Sequence, residues 1–91
     1  MIITTGDLKQ DYEIIDAIFA LDSHKEGIFK SANPGKAFEG VKSQLKIQCK
    51  LLKGDAVINC QFEYRVAVDR GIVSHKQVIE IFAYGTAVRF K

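Results

Sequence analysis

Positions 56–68 alternate with a period of two. Ala56, Ile58, Cys60, Phe62, Tyr64, Val66 and Val68 are apolar or aromatic, and Asn59, Gln61, Glu63 and Arg65 between them are polar. That is the pattern of a strand with one buried face. Asp69-Arg70-Gly71 then reads as a hairpin turn, and Ile72–Phe90 as a long returning strand, bulged at Gly85. Upstream the period changes. Ala37, Val41, Leu45 and Cys49 recur every fourth residue, widened by Phe38 and Leu52, which predicts a helix with one apolar stripe. Asn33 is placed to cap its start, with Pro34 in the first helical position. Gly54 is expected to end it in a left-handed conformation, and Lys50 and Lys53 suit the negative end of its dipole. Tyr12–Leu21 reads as a strand that is apolar at both parities except at Asp16, so both of its faces need cover. Met1–Thr5 is a short extended start, Gly6–Asp11 a polar connection, and Asp22–Ser31 a second connection in which Ile28 and Phe29 could form a strand end.

The C-terminal hairpin allows two registers. With Val68 opposite Ile72, Cys60 meets Glu80. With Val68 opposite Val73, Phe62 meets Ile79, Cys60 meets Ile81 and Ile58 meets Ala83. The second keeps a charge out of the core and is the one expected. It sends Val78, Phe82 and Tyr84 to the other face, beside Val57. One helix covers only one face of a sheet, so these four residues form a candidate interface with another copy, through the open face or the open edge. The element order β-β-α-β-β predicts an α+β fold: a two-layer sandwich in which one helix packs on a mainly antiparallel sheet, in a single domain over residues 1–91.

Composition narrows the class. At 91 residues, 47% hydrophobic and 26% charged, with seven glycines and one proline, the chain is neither disordered nor collagen-like. The longest apolar run, Ala17–Leu21, is far short of the ~20 residues of a membrane helix, and Met1–Lys9 lacks a signal-peptide pattern, so a cytoplasmic location is expected. Cys49 and Cys60 run away from the turn at Gly54 by roughly 7 Å along a helix and 17–20 Å along a strand, too unequal for a disulfide. Both are expected reduced and buried.

Charge is distributed unevenly. The net charge is +2 overall, but −3 over residues 1–30 and +4 over residues 31–54. Lys42, Lys46 and Lys50 share one helical row, extended by Lys53, and form a candidate anion surface. No aromatic residue lies between them for base stacking, which counts against nucleic acid. The candidate metal ligands His24, His75, Cys49 and Cys60 have no ligand spacing among them, so no metal site or cofactor is identified. The carboxylate pairs Asp7/Asp11, Glu13/Asp16 and Asp22/Glu26 are set beside no base, and Ser31, Ser43 and Ser74 lack a nucleophile elbow. No catalytic set is assigned, and an enzyme is the least favoured class.

Several segments resemble one family. Ile3-Thr4-Thr5 and Tyr12-Glu13-Ile14, then Gly54-Asp55-Ala56-Val57-Ile58 with Phe62-Glu63-Tyr64, then Gly85-Thr86-Ala87-Val88, follow in order the segments of the YbjQ-like family of small prokaryotic proteins. The middle departs: Ser31–Gly40 is short and lacks a Gly-Gly-Arg stretch. The resemblance implies a fold similar to dodecin subunits and ring-shaped homo-oligomers, with pentamers expected. It also brings a heavy-metal-binding label without an established role. The expected function is therefore a self-assembling, ring-forming scaffold or binding module that takes a small ligand or metal. The alternative is anion or nucleic-acid binding through Lys42, Lys46, Lys50 and Lys53.

Overall fold

A computed structural model of the chain orders its elements as β1 (Ile2–Ile3), β2 (Tyr12–Lys25), α1 (Pro34–Leu51), β3 (Ala56–Arg70) and β4 (His75–Phe90). The structure describes residues 1–25, 34–70 and 75–91. The expected cap Asn33, the strand end at Ile28 and Phe29, the turn glycine Gly71 and the register partners Ile72 and Val73 lie outside them. The four strands form one mixed sheet in the order β1-β3-β4-β2; β1 runs parallel to β3 and the other pairs are antiparallel. The helix packs on one face, so the expected two-layer α+β arrangement is the observed one.

The apolar stripe of α1 does the packing. Ala37, Val41, Leu45 and Cys49 are buried against Ile18 and Ala20 of β2, Val57 and Cys60 of β3, and Ile79, Ile81, Ala83 and Ala87 of β4. Removing these side chains from water is the main stabilising term of the domain. Both thiols are free and buried. The helix ends in a Schellman arrangement: the Gly54 N–H donates to the Cys49 carbonyl at 2.8 Å and the Lys53 N–H to the Lys50 carbonyl at 2.9 Å. The left-handed residue is Lys53, with φ 61°, not Gly54 as expected. Gly54 is required for space instead, since a Cβ there would sit 2.6 Å from the Cys49 Sγ. Arg89 closes the same helix end, donating to the carbonyls of Lys53 (3.0 Å) and Leu52 (3.2 Å) while pairing with Glu13.

The expected register is corrected in two ways. Asp69 and Arg70 belong to β3 rather than to a turn, and Arg70 pairs with His75. The partners of β3 therefore lie four residues further along β4: Val68 faces Gln77 and Phe62 faces Ala83. A shift of four is even, so each β4 side chain keeps its expected face. The second correction is a bulge in β3, between Ile58 and Gln61, rather than in β4 at Gly85. Asn59 takes φ 52° there, a left-handed conformation that asparagine tolerates better than most residues. The extra residue reverses the faces on its N-terminal side. Val57 turns under the helix and is fully buried, so it is not part of the open face where it was expected. Ile58 turns the other way and is buried with Ala56 and Val88 beneath Leu8, Tyr12 and Phe90.

Length decides what stays uncovered. An 18-residue helix spans about 27 Å, whereas strands of 14–16 residues reach about 50 Å. The molecule measures 55 × 22 × 18 Å, with a radius of gyration of 15.8 Å against about 12 Å for a compact chain of this size. The strands continue past the helix as an arm.

Candidate functional site

On the sheet face away from the helix, Phe19 and Leu21 of β2 lie in register with Tyr84 and Phe82 of β4. The pleat forces this: with period two, Phe19 and Leu21 must point away when Ile18 and Ala20 point into the core. The Phe82 ring centroid lies 6.3 Å from Phe19 and 5.9 Å from Tyr84. All four stay open to solvent, at 66% (Phe19), 57% (Leu21), 39% (Phe82) and 43% (Tyr84). Val78 shares their parity and is half-buried. Of the four expected interface residues, Phe82 and Tyr84 are thus placed on one exposed patch, Val78 toward the arm, and Val57 elsewhere. Phe19 and Leu21 were not singled out, although the two-sided apolarity of Tyr12–Leu21 carried the signal.

The patch is one-sided. On the β3 half of the same face lie Glu63 and Arg65, and the Arg65 Nε donates to Glu80 at 2.8 Å. On the helix side, past the first turn of α1, an apolar groove of about 580 Å³ runs along β3 between Phe38, Phe62, Tyr64, Val66, Ile79 and Ile81. Phe38 stacks on Phe62 at 4.7 Å. The β2 edge is partly closed, because the helix side chains Gln44 and Gln48 donate to the carbonyls of Leu21 (2.9 Å) and Phe19 (2.7 Å).

The lysine row is less uniform than its spacing suggests. Lys42 lies 3.1 Å from Glu39 and 5.4 Å over the Phe38 ring, whereas Lys46, Lys50 and Lys53 are exposed. Among the described residues no group of three or more His, Cys, Asp or Glu is placed to hold a metal. His24 and His75 fall at strand positions opposite Ile79 and Arg70, and their side chains lie outside what is described. Several carboxylates have structural partners. Glu13 holds Arg89, Asp16 accepts from the Ala17 N–H, and Asp22 lies against Gly40. Asp7 accepts from the Tyr12 hydroxyl at 2.6 Å and from the Leu8 N–H, which holds its carboxyl below the usual range and pushes the Tyr12 phenol up. Burial pushes both thiols up, with Asp55 adding to the effect at Cys49, so neither is a ready nucleophile. No helix among the described residues is long and apolar enough to cross a membrane.

No family model matches the sequence. The chain is similar to a UPF0145 protein of Enterococcus faecalis, 29% identical over 110 aligned positions that cover 100% of this chain and 98% of the relative. The alignment is longer than the chain, so the relative carries residues that this chain lacks. Among solved structures, it is similar to a protein of unknown function from Pediococcus pentosaceus that belongs to the DUF74 family. The TM-score is 0.78 at 23% identity, covering 98% of this chain and 96% of that one.

Proposed function

We propose that this chain, a homologue of the UPF0145 proteins and a structural neighbour of the DUF74 family, the group to which its YbjQ-like resemblance points, is a self-assembling scaffold or binding module whose subunits cover one another's open sheet face. The carrying observation is the exposed patch of Phe19, Leu21, Phe82 and Tyr84. Their exposed surface is about 400 Å² per subunit, roughly half of what one partner contributes to a stable interface. On the opposite, helix-side face the arm residues Tyr64, Val66 and Val68 expose about 300 Å² more. A closed ring of copies, with a pentamer as its expected form, buries the open-face patch without leaving an unmatched end.

Light scattering and native mass spectrometry of the full chain at micromolar concentration test the reading. The expected result is a single multiple of the subunit mass, lowered in Phe82→Ser. That substitution returns about 2 kcal/mol of apolar burial per contact to solvent, about 30-fold in Kd. A monomeric wild type at these concentrations sinks the proposal. In the lysine row Lys42 is engaged by Glu39 and Phe38, while Lys46, Lys50 and Lys53 stay exposed.

A further inference from the structure

The helix carries a second apolar strip that its own sheet does not use. Ile47 and Leu51, one turn apart, are 59% and 78% exposed. With about 100° of rotation per residue, Leu51 lies about 100° and Ile47 about 140° round the helix from the centre of the buried stripe Ala37, Val41, Leu45 and Cys49. Both lie on the β2 side, because Gln44 and Gln48, which donate to the carbonyls of Leu21 and Phe19, come between them and the stripe. The same two bonds fix the height of the strip. Ile47 sits between Gln44 and Gln48 along the helix, level with Phe19 and Leu21, and these are in register with Tyr84 and Phe82. The strip and the open-face patch therefore stand at one height on different sides of the subunit.

Resting on the reading that copies cover one another's open sheet face, we infer that the cover is the helix of the next copy. Ile47 and Leu51 of each subunit pack on Phe19, Leu21, Phe82 and Tyr84 of its neighbour, so every sheet lies between its own helix and a second one. The angle between the two surfaces favours closure. The buried stripe faces the sheet, and the open face looks onward in the same direction, so the strip points about 100–140° away from it. Strip and patch must oppose each other at the contact, which turns each copy by the remaining 40–80° or so relative to the last. A ring of five needs a step of about 72° and a ring of six about 60°. Equal heights make the step a rotation without a rise, which closes a ring rather than building a filament. Strip and patch together offer about 650 Å² of exposed apolar surface. At an apolar share of roughly 56–65% this corresponds to an interface of about 1,000–1,150 Å², the size at which specific contacts begin. A patch-on-patch pair would leave the strip in water and stop at a dimer.

Cross-linking of the full chain with a short bismaleimide tests the contact. Ile47→Cys alone and Tyr84→Cys alone are expected to give no multimers, because each site meets a different surface of its neighbour. The double variant Ile47→Cys/Tyr84→Cys is expected to give a ladder on a denaturing gel whose last rung is the ring. Within one copy the two sites are separated by the sheet, so the links form between copies. Wild type, with both thiols buried, is expected to give none. In sedimentation, Ile47→Glu is expected to weaken assembly at least tenfold with an unchanged circular dichroism spectrum, since the side chain is exposed in the subunit. Lys46→Glu, on the other flank of the helix, is expected to leave assembly unaltered. Oligomeric wild type with no ladder from the double variant and unaltered assembly of Ile47→Glu overturns the helix cover and leaves self-association standing. Dimers from Tyr84→Cys alone give the patch to a like patch and refute the contact. A ladder without a last rung marks an open filament and refutes the closure. A monomeric wild type, with or without a small molecule retained in native mass spectra, overturns both readings.

Discussion

Gly85 is the position where an added methyl group tests the fold most directly. It lies on β4 opposite the β3 bulge and pairs with Ile18 on its other side. A Cβ there would sit 2.7 Å from the Cys60 Sγ, 2.9 Å from the Val57 Cγ1 and 3.2 Å from the Ile58 carbonyl. All three neighbours are buried, and β4 is held on both sides, so relief requires moving a strand or a packed side chain. Overpacking of this kind costs about 1–3 kcal/mol. Alanine lowers the entropy cost of ordering the backbone by about 0.5–1 kcal/mol. Gly85→Ala is therefore expected to lose about 1–2 kcal/mol, about 5–15 °C in Tm for a domain of this size. Urea unfolding followed by circular dichroism, at one protein concentration for all variants, gives the value. Gly6→Ala is the control, because its Cβ would meet only the Thr4 Oγ1 at 3.9 Å. Cys60→Ala removes the closest obstacle, so the double variant should lose less than the two single losses added together. If Gly85→Ala proves as stable as Gly6→Ala, the strand gives way freely and the bulge is not what seats it.

Lys53→Gly is expected to raise stability by up to about 1 kcal/mol in the same urea assay, since a side chain in a left-handed conformation is strained there and both Schellman hydrogen bonds are backbone bonds. Tyr12→Phe should raise the Asp7 carboxyl toward its ordinary value in an NMR titration, because the Tyr12 hydroxyl is the main cause of its lowering. A carboxyl depressed in the folded state stabilises above its unfolded pKa, and this is lost as pH falls through the folded value. The variant should therefore differ from wild type near neutrality and converge with it in strong acid. Both thiols should resist a disulfide reagent at pH 8 in the native protein and react on unfolding in urea. A thiol that reacts at full rate in the native state would place Cys49 or Cys60 outside the core.

The local patterns were sufficient to identify the elements. A four-residue recurrence from Ala37 to Cys49 is a helix face whatever lies opposite it, and Pro34 marks its observed start. Alternation through β3 and two-sided apolarity in β2 likewise report burial that each strand needs. The patch at Phe82 and Tyr84 was legible because an even change of register leaves parity intact. Other features depend on contacts distant in sequence. The bulge at Asn59 exists because β3 must seat Cys60 beside Gly85 while bonding to Thr4 and Gly6, and it alone carries Val57 under the helix and Ile58 away from it. Arg89 looks like an ordinary surface charge until the fold brings it to the carbonyls of Leu52 and Lys53. The alternation in β3 predicts apolar side chains at Tyr64 and Val66, but the short helix and the early end of β1 decide that they lie at an uncovered edge. Periodicity fixes which side of an element is apolar, because it acts through neighbours along the chain. Which apolar side finds a cover depends on the relative lengths and order of elements that meet only after folding.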